Sequence, residues 1–108
     1  MPKGLTMKLP KLPKNIHSIN NDQPHESWGG WKNFLKSCEV RDKYRGVTFF
    51  GKTNCNYIVF SDGLLVPNFG FHGKALMNWI REKGVAKVKK KLIEDNEKIQ
   101  NLIKELKK

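Results

Sequence analysis

The chain has 108 residues, 38% of them hydrophobic, and 21 Lys and Arg against 10 Asp and Glu give a formal charge of +11. That length allows one compact domain with some extended chain, and two cysteines exclude a disulfide framework. No run of about 18 apolar residues exists to span a bilayer, and the cationic surplus favours polyanionic partners, nucleic acid first among them.

Residues 1–25 are rich in Lys, Pro and Asn. Pro2, Pro10, Pro13 and Pro24 fix φ and remove donors, so neither a helix nor a central strand fits. Lys8, Lys11 and Lys14 alternate with Leu–Pro pairs, which predicts an extended basic arm. Leu5, Leu9, Leu12 and Ile16 point to docking on an apolar surface. The segment has no 7–15-residue apolar block and no Arg, so it reads as neither a secretory signal nor a transit peptide. The expected location is cytoplasmic or nucleoid-associated.

Residues 26–84 hold nearly all the aromatics and are expected to form an α-β-β-β-α body. Trp28, Trp31, Phe34, Leu35 and Cys38 recur at helical spacing, which predicts a short helix over 31–39, with Ser27 available as N-cap. Gly29–Gly30 weakens the first turn and moves the helix start to Gly30 or Trp31. Three strands follow, at 46–52, 56–61 and 64–69. Thr53–Asn54 turns between the first two, and Asp62–Gly63 suits a primed hairpin turn between the others. Pro67 marks an edge or a strand end. Ala75, Leu76, Trp79 and Ile80 give one face to a helix over 72–84, stopped by Gly84.

The expected fold class is therefore α+β: a small three-stranded antiparallel sheet flanked by short helices, an extended basic N-terminal arm and a long C-terminal amphipathic helix. That last element is residues 85–108, which contain neither Gly nor Pro. Val85, Val88, Leu92, Ile99, Leu102 and Leu106 take heptad a and d positions, Asp95 interrupts one, and Ile93 and Ile103 widen the stripe. Such a stripe must be buried, in a coiled coil, on the domain or on a partner. Leu92, Ile99, Leu102 and Leu106 are the candidate partner-binding residues.

Catalytic and metal chemistry find no support. His17, His25 and His72 are scattered, and neither CxxC nor HExxH spacing occurs. Cys38 lies on an apolar helix face with no base beside it. No metal, no cofactor and no enzymatic activity are expected.

Alternation along the strands sets Tyr44, Gly46, Thr48 and Phe50 against Arg45, Val47, Phe49 and Gly51, and Tyr57, Val59 and Ser61 against Ile58 and Phe60. Both faces carry aromatics. One must meet the helices; the other can meet a partner or lie under the arm. Lys43, Arg45 and Lys52 fall near strand ends, where cations beside rings suit phosphates and bases.

Tyr44-Arg45-Gly46-Val47, Asp62–Gly63, Phe71, Ala75 and Trp79 together resemble the AP2-like DNA-binding domains. The resemblance implies a three-strand-plus-helix fold, with Lys43 and Arg45 as DNA contacts.

The expected function is a small basic non-enzymatic nucleic-acid-binding protein that contacts mainly phosphates, of DNA in preference to RNA. The contacts would be Lys43, Arg45 and Lys52, the arm lysines Lys8, Lys11 and Lys14, and the helix cluster Lys87, Lys89, Lys90 and Lys91. The alternative is a protein-binding adaptor or inhibitor, of a phage-encoded kind acting on a host machine, that uses the C-terminal helix and the N-terminal arm; the expected partner of that helix is another protein or a second copy of the chain. A ribonucleoprotein component is a third reading.

Overall fold

A computed structural model describes residues 10–67 and 72–107. Lys8, Leu5, Leu9 and Phe71 lie outside the described residues. The strands are β1 (His17–Ser18), β2 (Glu39–Tyr44), β3 (Val47–Lys52), β4 (Cys55–Val59) and β5 (Leu64–Pro67). They form one five-stranded sheet in the order β1-β5-β4-β3-β2. β2 to β5 are an antiparallel meander, and β1 joins β5 in parallel.

The expected three-stranded antiparallel sheet is thus corrected at both edges. On one edge, the segment Glu39–Tyr44 is a strand where a helix end and a loop were expected. Its charges suit an edge strand, where they deter pairing with another sheet. On the other edge, the arm itself supplies β1. The His17 N–H donates to Gly63 O and the Ile19 N–H to Leu65 O, both at 2.9 Å. This pairing is parallel and non-local, so no hairpin signal announces it. Pro67 is the last described residue of β5, which is an interior strand and not an edge, and positions 68 and 69 of the expected third strand lie outside the described residues.

The primed turn occurs at Arg45–Gly46, where φ is 44° and 84°. Two successive positive φ values match the twist of the flanking strands. Asp62–Gly63 instead sits in a three-residue connection: Gly63 N–H returns to Phe60 O and Phe60 N–H reaches Leu64 O, each at 2.9 Å. Asp62 Oδ1 accepts from the Leu64 N–H at 3.2 Å and Gly63 takes φ 92°, the glycine-bulge form of a hairpin.

Of the helices, a 3-10 turn spans Glu26–Trp28, α1 spans Trp31–Lys36, α2 Gly73–Lys83 and α3 Val85–Leu106. α1 starts at Trp31, as the glycine pair predicts, but ends three residues before the expected position because Glu39 belongs to β2. Ser27 does not cap α1; Gly30 stands there without a side-chain bond, and His25 caps the preceding 3-10 turn. Gly84, at φ 96°, ends α2 and starts α3.

Both sheet faces are covered. Val47, Phe49, Ile58, Phe60 and Val66 pack under Leu76, Met77 and Ile80 of α2 and Val88 and Leu92 of α3. Phe50, Val59 and Leu65 pack on Trp31, Phe34 and Leu35 of α1, joined by Leu12 and Ile16 of the arm. The alternation expected along β3 and β4 is obeyed from Val47 onward, with the arm and α1 closing the second face, whereas Tyr44, expected on the Phe50 side, packs with Val47 and Phe49 because the Arg45–Gly46 turn separates it from β3. β2 adds a bulge: Val40 pairs with Phe50 and Asp42 with Phe49, leaving Arg41 extra. The bulge lets Val40 face the α1 layer while Asp42 and Tyr44 face α2. Ile19 enters the α2–α3 core, so arm, body and the first half of α3 share one interior.

Gly63 lies where the arm crosses the sheet. A Cβ there would overlap the Asn15 carbonyl oxygen, and its φ of 92° already disfavours a side chain. We expect Gly63→Ala to lose about 1–3 kcal/mol in urea denaturation. An unchanged midpoint and slope would show that the arm does not press on this turn.

Candidate functional site

α2 and α3 meet at Gly84 and present a groove on the molecule's outer side. Trp79 and Lys83 stand one turn apart on α2. Lys87, Lys90, Lys91 and Glu94 follow at i, i+3, i+4 and i+7 on α3. Together with Val88 they line a space of about 390 Å³. Trp79 is half-buried and packs against the α2–α3 core. Four lysines against one glutamate make the lining strongly positive. Lys91 Nζ lies 3.3 Å from Asp95 Oδ1, while Lys83, Lys87 and Lys90 form no ion pair among the described residues. An indole beside exposed ammonium groups can stack a base or sugar and neutralise phosphates.

Of the described residues expected to bind nucleic acid, only Lys87, Lys90 and Lys91 come together here. Lys89 points elsewhere: its ammonium pairs with Asp62 and fastens α3 to the β4–β5 turn. Arg45 sits in the β2–β3 turn, its guanidinium 5.4 Å from the Tyr44 ring centroid, with Lys43 exposed just before it. Lys52 is at the opposite end of β3. Its ammonium donates to Ser37 Oγ at 3.2 Å and lies 5.6 Å from the Phe34 ring centroid, on the α1 side. Lys11 and Lys14 are exposed on the arm, and Lys11 lines a small cleft beside Gly46 and Thr48. Among the partner-binding candidates, Leu92 is buried, whereas Ile99, Leu102 and Leu106 are exposed.

Trp79 and Lys83 are the functional candidates missed in the sequence, where Trp79 reads as core. The available signal is the spacing Trp79, Lys83, Lys87: an aromatic and two cations at four-residue intervals, continued across Gly84.

The other flank of α2 is bound to β2. Arg81 donates to both carboxylate oxygens of Asp42 at 2.6 Å and to Lys43 O at 3.3 Å, and its guanidinium lies 5.2 Å from the Tyr44 ring centroid. The Arg81 hydrogen bonds hold the Asp42 carboxyl below the usual carboxylate range; slight burial opposes this and the Lys43 N–H assists. The groove's α2 wall is thus tied to the sheet edge.

The remaining reactive groups do not build a site. Cys38 donates its thiol hydrogen to Phe34 O at 3.4 Å, and burial pushes its pKa up, which is the wrong direction for a nucleophile. No group of three or more His, Cys, Asp or Glu among the described residues could hold a metal ion. No described helix is long and apolar enough to cross a membrane. No protein family, curated protein or solved structure matches the chain.

A depressed folded pKa stabilises the fold above the unfolded value and stops doing so as pH falls through the folded one. Asp42→Asn should therefore unfold at lower urea than the parent at neutral pH, and the gap should close in acid once Asp42 is protonated. A gap that persists undiminished at about pH 2 would mean that the carboxylate charge is not what holds α2 to β2.

Proposed function

We propose that this protein is a small, basic, non-enzymatic nucleic-acid-binding protein that grips phosphates in the α2–α3 groove and stacks a base or sugar on Trp79. The observation that carries this reading is one half-buried indole set among Lys83, Lys87, Lys90 and Lys91 along a single groove. The +11 formal charge favours the same class of partner by raising encounter rates with it. Lysine is a point charge on a flexible stem, so it suits backbone contacts better than bidentate base readout. Binding is accordingly tolerant of sequence. The free cysteines Cys38 and Cys55 accord with a reducing cytoplasmic or nucleoid setting.

Fluorescence anisotropy with a labelled oligonucleotide across a salt series tests the assignment. Replacing two exposed groove lysines, Lys87→Glu with Lys90→Glu, should weaken binding by about tenfold or more and flatten the log affinity–log salt slope by about two. Lys52→Glu, on the α1 side, should leave the slope within error of the parent. Parent protein that ignores DNA and RNA in dilute buffer, or a double variant that binds as the parent does, would overturn the proposal.

A further inference from the structure

The groove uses the outer side of α3; the inner side presents a separate problem. Val88, Leu92 and Asn96 are buried along it. Asn96 closes the covered stretch, its Nδ2–H donating to the Ile19 carbonyl. The next large aliphatic residues of the same stripe are exposed. Ile99 is 46% exposed, Leu102 59%, Ile103 39% and Leu106 78%. Four large aliphatic side chains along about 10 Å of helix form an apolar face continuous with the core.

We propose that a second copy of this chain covers that face, with the two α3 ends packed antiparallel. The charge pattern selects both the partner and the direction. With Leu92, Ile99 and Leu106 at heptad position a and Leu102 at d, an antiparallel pair layers Ile99 of each copy against Leu102 of the other. The flanking g positions are Lys98 and Glu105. In the antiparallel pair g faces g, so Lys98 meets Glu105 of the second copy, and the two-fold axis repeats that contact. A parallel pair would set Asp95 against Asp95. It would also drive the two bodies together at the end where α3 is already occupied by its own sheet. In the antiparallel pair Leu106 lies near Asp95 of the second copy, whose carboxylate is engaged by Lys91 one turn before it. Four apolar side chains per copy make a small interface, below the size of stable dimers, so association depends on concentration. The dimer would carry two α2–α3 grooves, although this inference does not depend on what those grooves bind.

Sedimentation equilibrium of the nuclease-treated full chain, from about 10 μM to about 1 mM, reads this directly. The expected result is an average mass that rises from one chain towards two. Leu102→Glu, at an exposed position, should stay monomeric throughout with unchanged circular dichroism. Lys98→Glu and Glu105→Lys should each self-associate at least about tenfold more weakly, while an equimolar mixture of the two should dimerise at least as well as the parent. Rescue in the mixture is specific to the antiparallel register. A parent that is monomeric at the highest concentration, a parent forming larger oligomers, or a mixture no better than its components would overturn the proposal.

Discussion

The structure depends on closing a sheet that is apolar on both faces. β3 places Phe49 and Phe50 side by side, so one ring enters the α2–α3 core and the other the α1 core. Two helices can shield only one of those faces. The second is closed by α1 together with Leu12 and Ile16, which sit in a segment that its prolines keep out of a helix. The arm holds there by adding β1 to the sheet, by pressing on Gly63 and by sending Ile19 through to the opposite core. Asn96 then binds the Ile19 carbonyl from α3, so the chain's first and last described elements are tied at one corner.

This closure decides where a ligand can be met. A sheet that reads nucleic acid needs exposed rings, and here Phe49, Phe50 and Phe60 are all buried. Lys43 and Arg45 stand at one end of the sheet and Lys52, engaged with Ser37 and Phe34, at the other. The outer surface of the helical layer remains. There the helical periodicity of α2 and of α3, with the two packed together at Gly84, brings an aromatic and several cations together. Arg81 and Lys89 take no part in that surface; they tie its two walls to the sheet through Asp42 and Asp62.

Much of the middle of the fold was legible because local patterns carried it. The alternation in Val47–Phe50 and Tyr57–Phe60 assigned each side chain to its layer, and Gly84 marked the joint between α2 and α3. What escaped was non-local or disguised. Glu39–Tyr44 has an edge strand's charges rather than a half-buried strand's alternation, and its bulge breaks the period at Arg41. His17–Ser18 is a strand only because β5 and the Gly63 turn are next to it. Trp79 lies at a helix position that serves equally as core and as groove wall, and only the placement of α3 distinguishes the two. Lys89 was indistinguishable from its neighbours until Asp62 was seen beside it.

The three tryptophans separate the two sides of the molecule, since Trp28 and Trp31 belong to the α1 layer and Trp79 to the α2–α3 groove. Following their indole N–H resonances by NMR while a short oligonucleotide is added would show which side of the molecule meets the ligand. The Trp79 resonance should move progressively towards saturation while those of Trp28 and Trp31 hold still. Movement of Trp28 and Trp31 with Trp79 unchanged would put the contact on the α1 side of the sheet and contradict the account.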